Sequence, residues 1–211
     1  MQDRKFVLNF IDPATGCIRS QAAFETSDIS ALCRIIDPGQ DNIPLGACYD
    51  LDHGDMQRIA ARFGVAVANA SDEVRLRSWL PIDELPYLVH TNRELALMLN
   101  GSKPFAAFTE SYPSNPDLDL IPERYFAPYV ESGLLLRKEY LFKQRNGRQS
   151  RIVLYAKPQE EWRMEAYRLL KQTAEKTGWN EGFERIEGTL LGYEEWQNDI
   201  YIETLFKRTK A

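Results

Sequence analysis

The spacing of apolar and polar positions changes several times along the chain, and each change predicts an element. Residues 5–11 and 17–24 read as two strands. They are joined by Asp12-Pro13-Ala14-Thr15-Gly16, whose proline and glycine supply the restricted and permissive torsions of a turn. Residues 134–144 and 149–156 repeat the pattern with strand-forming side chains on both arms. Between them Asn146-Gly147 predicts a two-residue type I′ turn, which needs positive φ at both central positions. In that register Arg145 opposes Arg148, with Lys143 on the same face and Arg151 on the other.

Helical spacing takes over at Pro158, with Glu160 and Glu161 near the positive end of the helix dipole and Gly178 at the stop. Trp162, Ala166, Leu169, Leu170 and Thr173 are expected on its inner face. Ser27 is expected to cap a short helix that turns Ile29, Leu32, Cys33 and Ile36 inward. Asp55 is expected to cap another, carrying Met56, Ile59, Ala60 and Phe63 and ended by Gly64. Thr91-Asn92-Arg93-Glu94 matches a capping box ahead of Leu95, Met98 and Leu99. Residues 74–80, 85–89 and 103–109 read as strands, whereas Tyr193, Trp196 and Ile200 share helical spacing.

These elements predict an α+β protein of two antiparallel hairpin-plus-helix (ββα) units packed into one two-lobed globule. The proline-rich break after Tyr112 suggests an acidic lobe at 1–111, a linker at 112–124 and a hairpin-helix lobe at 125–211, or one continuous domain. The order hairpin, helix, loop, helix recurs in both halves. The sequences themselves share only Leu45-Gly46 and Leu191-Gly192, so chance recurrence of a common unit explains the echo better than duplication.

Composition adds bounds. At 211 residues with 44% hydrophobic side chains, the chain can build a packed core without staples. The apolar run after Gln2-Asp3-Arg4-Lys5 is too short for a signal peptide, and no stretch approaches the ~20 apolar residues of a membrane helix, so a cytoplasmic protein is expected. Cys17, Cys33 and Cys48 lack a CxxC spacing and read as small packing residues. The net charge of −5 is uneven: residues 1–120 carry 17 acidic and 10 basic side chains, and residues 121–211 carry 14 and 16. An acidic half is suited to meeting a basic partner, since complementary fields raise association rates and select partners.

Candidate chemistry is sparse. Asp50, Asp52 and Asp55 with His53 form the densest set of potential cation ligands, yet Gly54 and Ala61 stand where an EF-hand needs other residues. A helix start attracts carboxylates without a metal, so no metal is expected. Residues 58–65 echo the first helix of a helix-turn-helix, but Asp72-Glu73 would repel phosphate where a recognition helix is needed. Neither a phosphate-binding glycine loop nor a Gly-x-Ser-x-Gly elbow is present, and no cofactor is expected.

The expected function is therefore a non-enzymatic protein-binding module, an inhibitor or immunity-type protein that engages a basic partner. Its expected contact residues are Asp50, Asp52, Asp55, Trp79, Tyr87, Tyr112, Arg145 and Arg148, since large amphipathic rings and exposed charges anchor interfaces. One alternative is a small hydrolase or transferase using Asp50, Asp52, His53 and His90, the two imidazoles being the side chains with an unshifted pKa near neutrality. Another is nucleic-acid contact through Lys143, Arg145, Arg148 and Arg151, which the overall acidity disfavours.

Overall fold

A computed structural model describes residues 3–36, 38, 45–66, 72–114, 120–144 and 147–207. The chain is α+β, with two antiparallel sheets. It divides into two compact units, residues 1–84 with 91–93, and residues 85–90 with 94–211.

In the first unit β1 (Arg4–Asp12) and β2 (Cys17–Thr26) form a hairpin, followed by α1 (Ile29–Ile36), β3 (Tyr49–Leu51), α2 (His53–Phe63) and β4 (Glu73–Ser78). The strand order is β2-β1-β4-β3. Its central position explains why β1 does not alternate cleanly: Phe6, Leu8 and Phe10 are buried, and so are Val7, Asn9 and Ile11, which alternate with them. Phe6, Leu8, Phe10, Phe24 and Leu76 join Leu32 of α1 with Met56 and Ile59 of α2 in one apolar cluster. A bulge between Phe10 and Ile11 shifts the hairpin register, so Ile11 faces Ile18 while Phe10 faces Ser20.

Both helix caps fall elsewhere than expected. Asp28, not Ser27, caps α1 by accepting the Ala31 N–H at 2.9 Å. Asp52, not Asp55, caps α2, accepting the Asp55 N–H at 2.7 Å. In each case a carboxylate three residues ahead of the donor wins, because that offset places its oxygen over the open amides of the first turn. Gly64 closes α2 at φ 67°, donating its N–H to the Ala60 carbonyl.

The second unit contains α3 (Glu94–Leu99), β5 (Phe105–Tyr112), α4 (Glu123–Glu131), β6 (Leu136–Lys143), β7 (Gln149–Ala156), α5 (Trp162–Thr177), α6 (Glu181–Leu190) and α7 (Glu195–Tyr201), which runs on into a π turn at Ile202–Phe206. The sheet order is β5-β7-β6. One face carries Phe105, Ile152, Leu154 and Ala156 against Met164, Tyr167, Leu170 and Leu190. On the opposite face Tyr155 stacks on Phe126 of α4 at 4.1 Å between ring centroids, with Phe108 edge-on to both. The described part of the 112–124 stretch connects β5 to α4 inside this unit.

The structure departs from several local expectations. Lys143 pairs with Gln149, and the Gln144 N–H donates to the Arg148 carbonyl, so Arg148 faces Gln144. The turn is therefore one residue longer than the two-residue type, with only Gly147 (φ 83°) of the described turn residues in the left-handed region. The inner face of α5 is Met164, Tyr167, Leu170 and Ala174, leaving Trp162 and Leu169 more than half exposed. Helix α3 starts at Glu94, and Asn92 at φ 60° separates Thr91 from it, so Thr91 does not cap. Residues 85–87 form bends and 88–89 are irregular rather than a strand, and α4 arises in the proline-rich stretch with Pro128 inside it.

Candidate functional site

The acidic corner of the first unit lies where β3 hands over to α2. Asp50 sits opposite Arg75 in the β3–β4 register, and the Arg75 Nε donates to its Oδ1 at 2.7 Å. Its side chain is nevertheless 82% exposed. Asp52 is committed through Oδ1 to the helix start, and Asp55 pairs with Arg58 one turn along. His53 is exposed, with its Nε2 2.8 Å from the Gln57 amide nitrogen. Among the described residues no group of three His, Cys, Asp or Glu side chains is placed to hold a metal ion. The corner thus gathers Asp50, Asp52, His53 and Asp55, while His90 belongs to the second unit.

The expected contact aromatics occupy different settings. Trp79 is half-buried, with the Lys5 ammonium 3.6 Å from its ring centroid. Tyr87 is half-buried too, edge-on to Tyr193 and Trp196, and burial pushes its hydroxyl up to about 12. Tyr112 is 43% exposed at the end of β5. At the hairpin tip Arg148 is exposed, and Arg145 lies outside the described residues.

Arg151 does not stand on the face opposite Lys143, as the shorter turn implied. It faces Leu141, two residues from Lys143, and so shares that face. There it is bound into a network that nothing in the local sequence announces. Its guanidinium donates to Glu110 at 2.9 Å, Glu123 at 2.6 Å and Glu139 at 3.0 Å. Arg137 donates to Glu123 at 2.7 Å and Glu139 at 2.6 Å. The two arginines bridge β5, β6, β7 and α4, and their hydrogen bonds hold the Glu139 carboxyl down at about 2. Arg151 itself is raised above its ordinary range by the same bonds.

The second unusual cluster is built around Lys103, which is only 2% exposed. Its ammonium donates to the Leu191 carbonyl at 2.9 Å, at the C-terminal end of α6, where helix carbonyls carry partial negative charge. It also lies 3.2 Å from Nδ1 of His90. The imidazole stacks on Tyr193 at 4.1 Å, and the His90 backbone N–H donates to the Tyr193 hydroxyl at 2.9 Å. Burial, then the neighbouring ammonium, pushes His90 down to about 4; burial pushes Lys103 down to about 8. At neutral pH the lysine is therefore charged and the ring neutral, which makes Nδ1 the acceptor and places the ring proton on Nε2.

Sequence reasoning singled out His90 but missed Lys103, Tyr193 and the Glu110/Glu123/Glu139 set. Their partners lie on separate elements, 88 residues apart for Lys103 and Leu191 and 103 for His90 and Tyr193, so no local spacing marks them. Comparison with protein-family models, with curated proteins and with solved structures finds no match.

Proposed function

We propose that the protein is a non-enzymatic binding module of the inhibitor or immunity type, whose first unit engages a basic partner surface. The observation that supports this reading is the 82% exposed Asp50 side chain, fixed through Oδ1 by Arg75 in a stretch, residues 46–53, that also exposes Asp52. A carboxylate already oriented by its neighbour loses little side-chain freedom when a lysine or arginine of a partner approaches, and preorganisation of this kind favours binding. The negative charge of the first unit, 13 acidic against 9 basic side chains over residues 1–84 and 91–93, steers that approach.

The experiment uses the full chain as bait in an extract of its native host, identifies what is retained, and then measures that purified partner against the wild type and Asp50→Lys. Reversal of the charge is expected to weaken binding by about tenfold or more, chiefly through slower association and with a flattened salt dependence. Equal affinity for the two proteins would overturn the reading. So would turnover of a metabolite that His90→Gln or Asp52→Asn abolishes without unfolding the chain.

A further inference from the structure

Strand β6 ends the second sheet: one of its edges pairs with β7, and no described strand pairs with the other. The Gln144 N–H turns towards β7, where it meets the Arg148 carbonyl, and in an antiparallel ladder the backbone groups of alternate residues share that direction. Lys138, Tyr140 and Phe142 therefore bond to β7, while Arg137, Glu139, Leu141 and Lys143 hold their N–H and C=O groups out at the free edge. Leu135, next in that series, donates away from β7 to the Tyr129 carbonyl. Edge strands are ordinarily blunted by a proline, a bulge or charge. Over its eight residues β6 has no proline and keeps an unbroken register, and Leu141 within it is more than half exposed.

Two further features border this edge. Glu161 and Glu165 of α5 reach Lys138 at 3.1 and 3.3 Å, and the Tyr140 hydroxyl donates to Glu165 at 2.9 Å, so this side of the helix lies along β6. Trp162 and Leu169, three residues before and four after Glu165, stand beside it on the helix surface, and both are more than half exposed. On the other face of the sheet Glu110, Glu123 and Glu139 share Arg137 and Arg151, three carboxylates for two guanidinium groups. Lys143, exposed on that same face, has no ion pair among the described residues.

We propose that the free edge of β6 pairs with the same edge of a second copy of this chain, joining two three-stranded sheets into one of six strands about a two-fold axis at Leu141. Antiparallel pairing centred there sets Leu141 against its own counterpart and Tyr140 against Phe142. It also sets Glu139 against Lys143 at two equivalent positions, so the excess negative charge of each network meets a lysine of the other copy. Other centres fit worse. Glu139 at the axis would face itself, Tyr140 there would set Arg137 against Lys143, and Phe142 there would set Leu141 against Lys143. The two-fold axis also brings Trp162 and Leu169 of the two copies towards one another on the α5 face. This pairing involves the second unit and does not rest on the binding reading of the first.

Sedimentation of the full chain over ~1–300 µM tests it. A reversible monomer–dimer equilibrium is expected, with a dissociation constant of ~10–100 µM as suits a small, transient interface. Lys143→Glu changes an exposed side chain and sets glutamate against Glu139 twice, so it should weaken the dimer at least ~tenfold. Leu141→Cys in a Cys48→Ser background should cross-link copy to copy under mild oxidation, since directly opposed hydrogen-bonded residues lie ~5.5 Å apart at Cα. In the wild type, amide exchange at Glu139 and Leu141 should slow as concentration rises, while Tyr140 and Phe142 stay as they are; this reading needs no variant to fold. A monomer at ~300 µM, which leaves the edge to a strand of another protein, would overturn the proposal. So would an unchanged constant for Lys143→Glu, or exchange at Leu141 that ignores concentration.

Discussion

The Lys103 ammonium and the His90 imidazole lie 3.2 Å apart inside the second unit, a cation donating to a neutral ring. Two basic groups coexist at this distance because burial and mutual repulsion keep one of them unprotonated.

A pH dependence follows with a definite sign. The folded-state value of His90, about 4, lies below its ordinary 6.5, so the unfolded chain takes up that proton first as pH falls. The contribution of His90 is expected to be fully present above pH 6.5 and to be lost, by a few kcal/mol, as pH drops towards 4. Urea unfolding at pH 7 and pH 4.5 measures this. His90→Gln should be less stable at pH 7 yet flatter across that window; an equally steep profile would remove His90 as the cause.

Below that window the carboxylate network takes over. Glu139 is held at about 2 against an ordinary 4.5, so its contribution is present above pH 4.5 and disappears as pH falls towards 2. Arg151→Met leaves Glu110, Glu123 and Glu139 without their shared cation. A loss of about 3 kcal/mol is expected in denaturant unfolding at neutral pH, because breaking one side of a mostly buried pair strands the other. A loss under about 1 kcal/mol would mean that Arg137 or solvent takes over.

Gly188 occupies a helical position where alanine is ordinarily the better residue by ~1 kcal/mol. Here an added Cβ would overlap the Asn198 carboxamide, meeting its Oδ1 at below contact distance and its Cγ at 2.9 Å, and Asn198 is only 7% exposed. Gly188→Ala is therefore expected to destabilise by roughly 1–3 kcal/mol. Adding Asn198→Ala to it should recover part of the loss; thermal unfolding of the four combinations in a double-mutant cycle reads the coupling.

The two aspartates of the acidic corner should separate cleanly in stability. Asp52→Ala removes the cap of α2 and should lower stability by about 1 kcal/mol. Asp50→Ala breaks an exposed pair with Arg75 and should change it by less than about 0.5 kcal/mol. If Asp50→Ala proved the costlier change, the corner would owe its shape to the β3–β4 pairing rather than to the helix cap.

What could be read in the sequence was local. The hairpins at residues 4–26 and 136–156 and the helix ending at Gly178 follow from short-range torsional preference and spacing, and they are present. The turn after Gln144 escaped by one residue because Asn-Gly also suits a longer connection with a left-handed glycine. The inner face of α5 was only partly legible: Leu170 and Ala166 pack inward as expected, but Trp162 and Leu169 outweigh Met164 and Ala174 in any hydrophobic pattern, although the helix turns them outward. Helix α4 was hidden by its prolines; Phe126 packing on Tyr155 compensates for what Pro128 removes. The charged networks were invisible because Arg151 meets carboxylates from three other elements.

The β5-β7-β6 order has a bearing on how the second unit is assembled in time. Joining β6 to β7 closes a short loop, whereas seating β5 on β7 brings Tyr112 to Gln149 across 36 residues of intervening sequence. Chain closure grows less favourable with loop length, so the hairpin is expected to zip first and to offer β7 as a template on which β5 docks later. Pulse-labelled hydrogen exchange should record amide protection along 136–156 before it appears along 105–112.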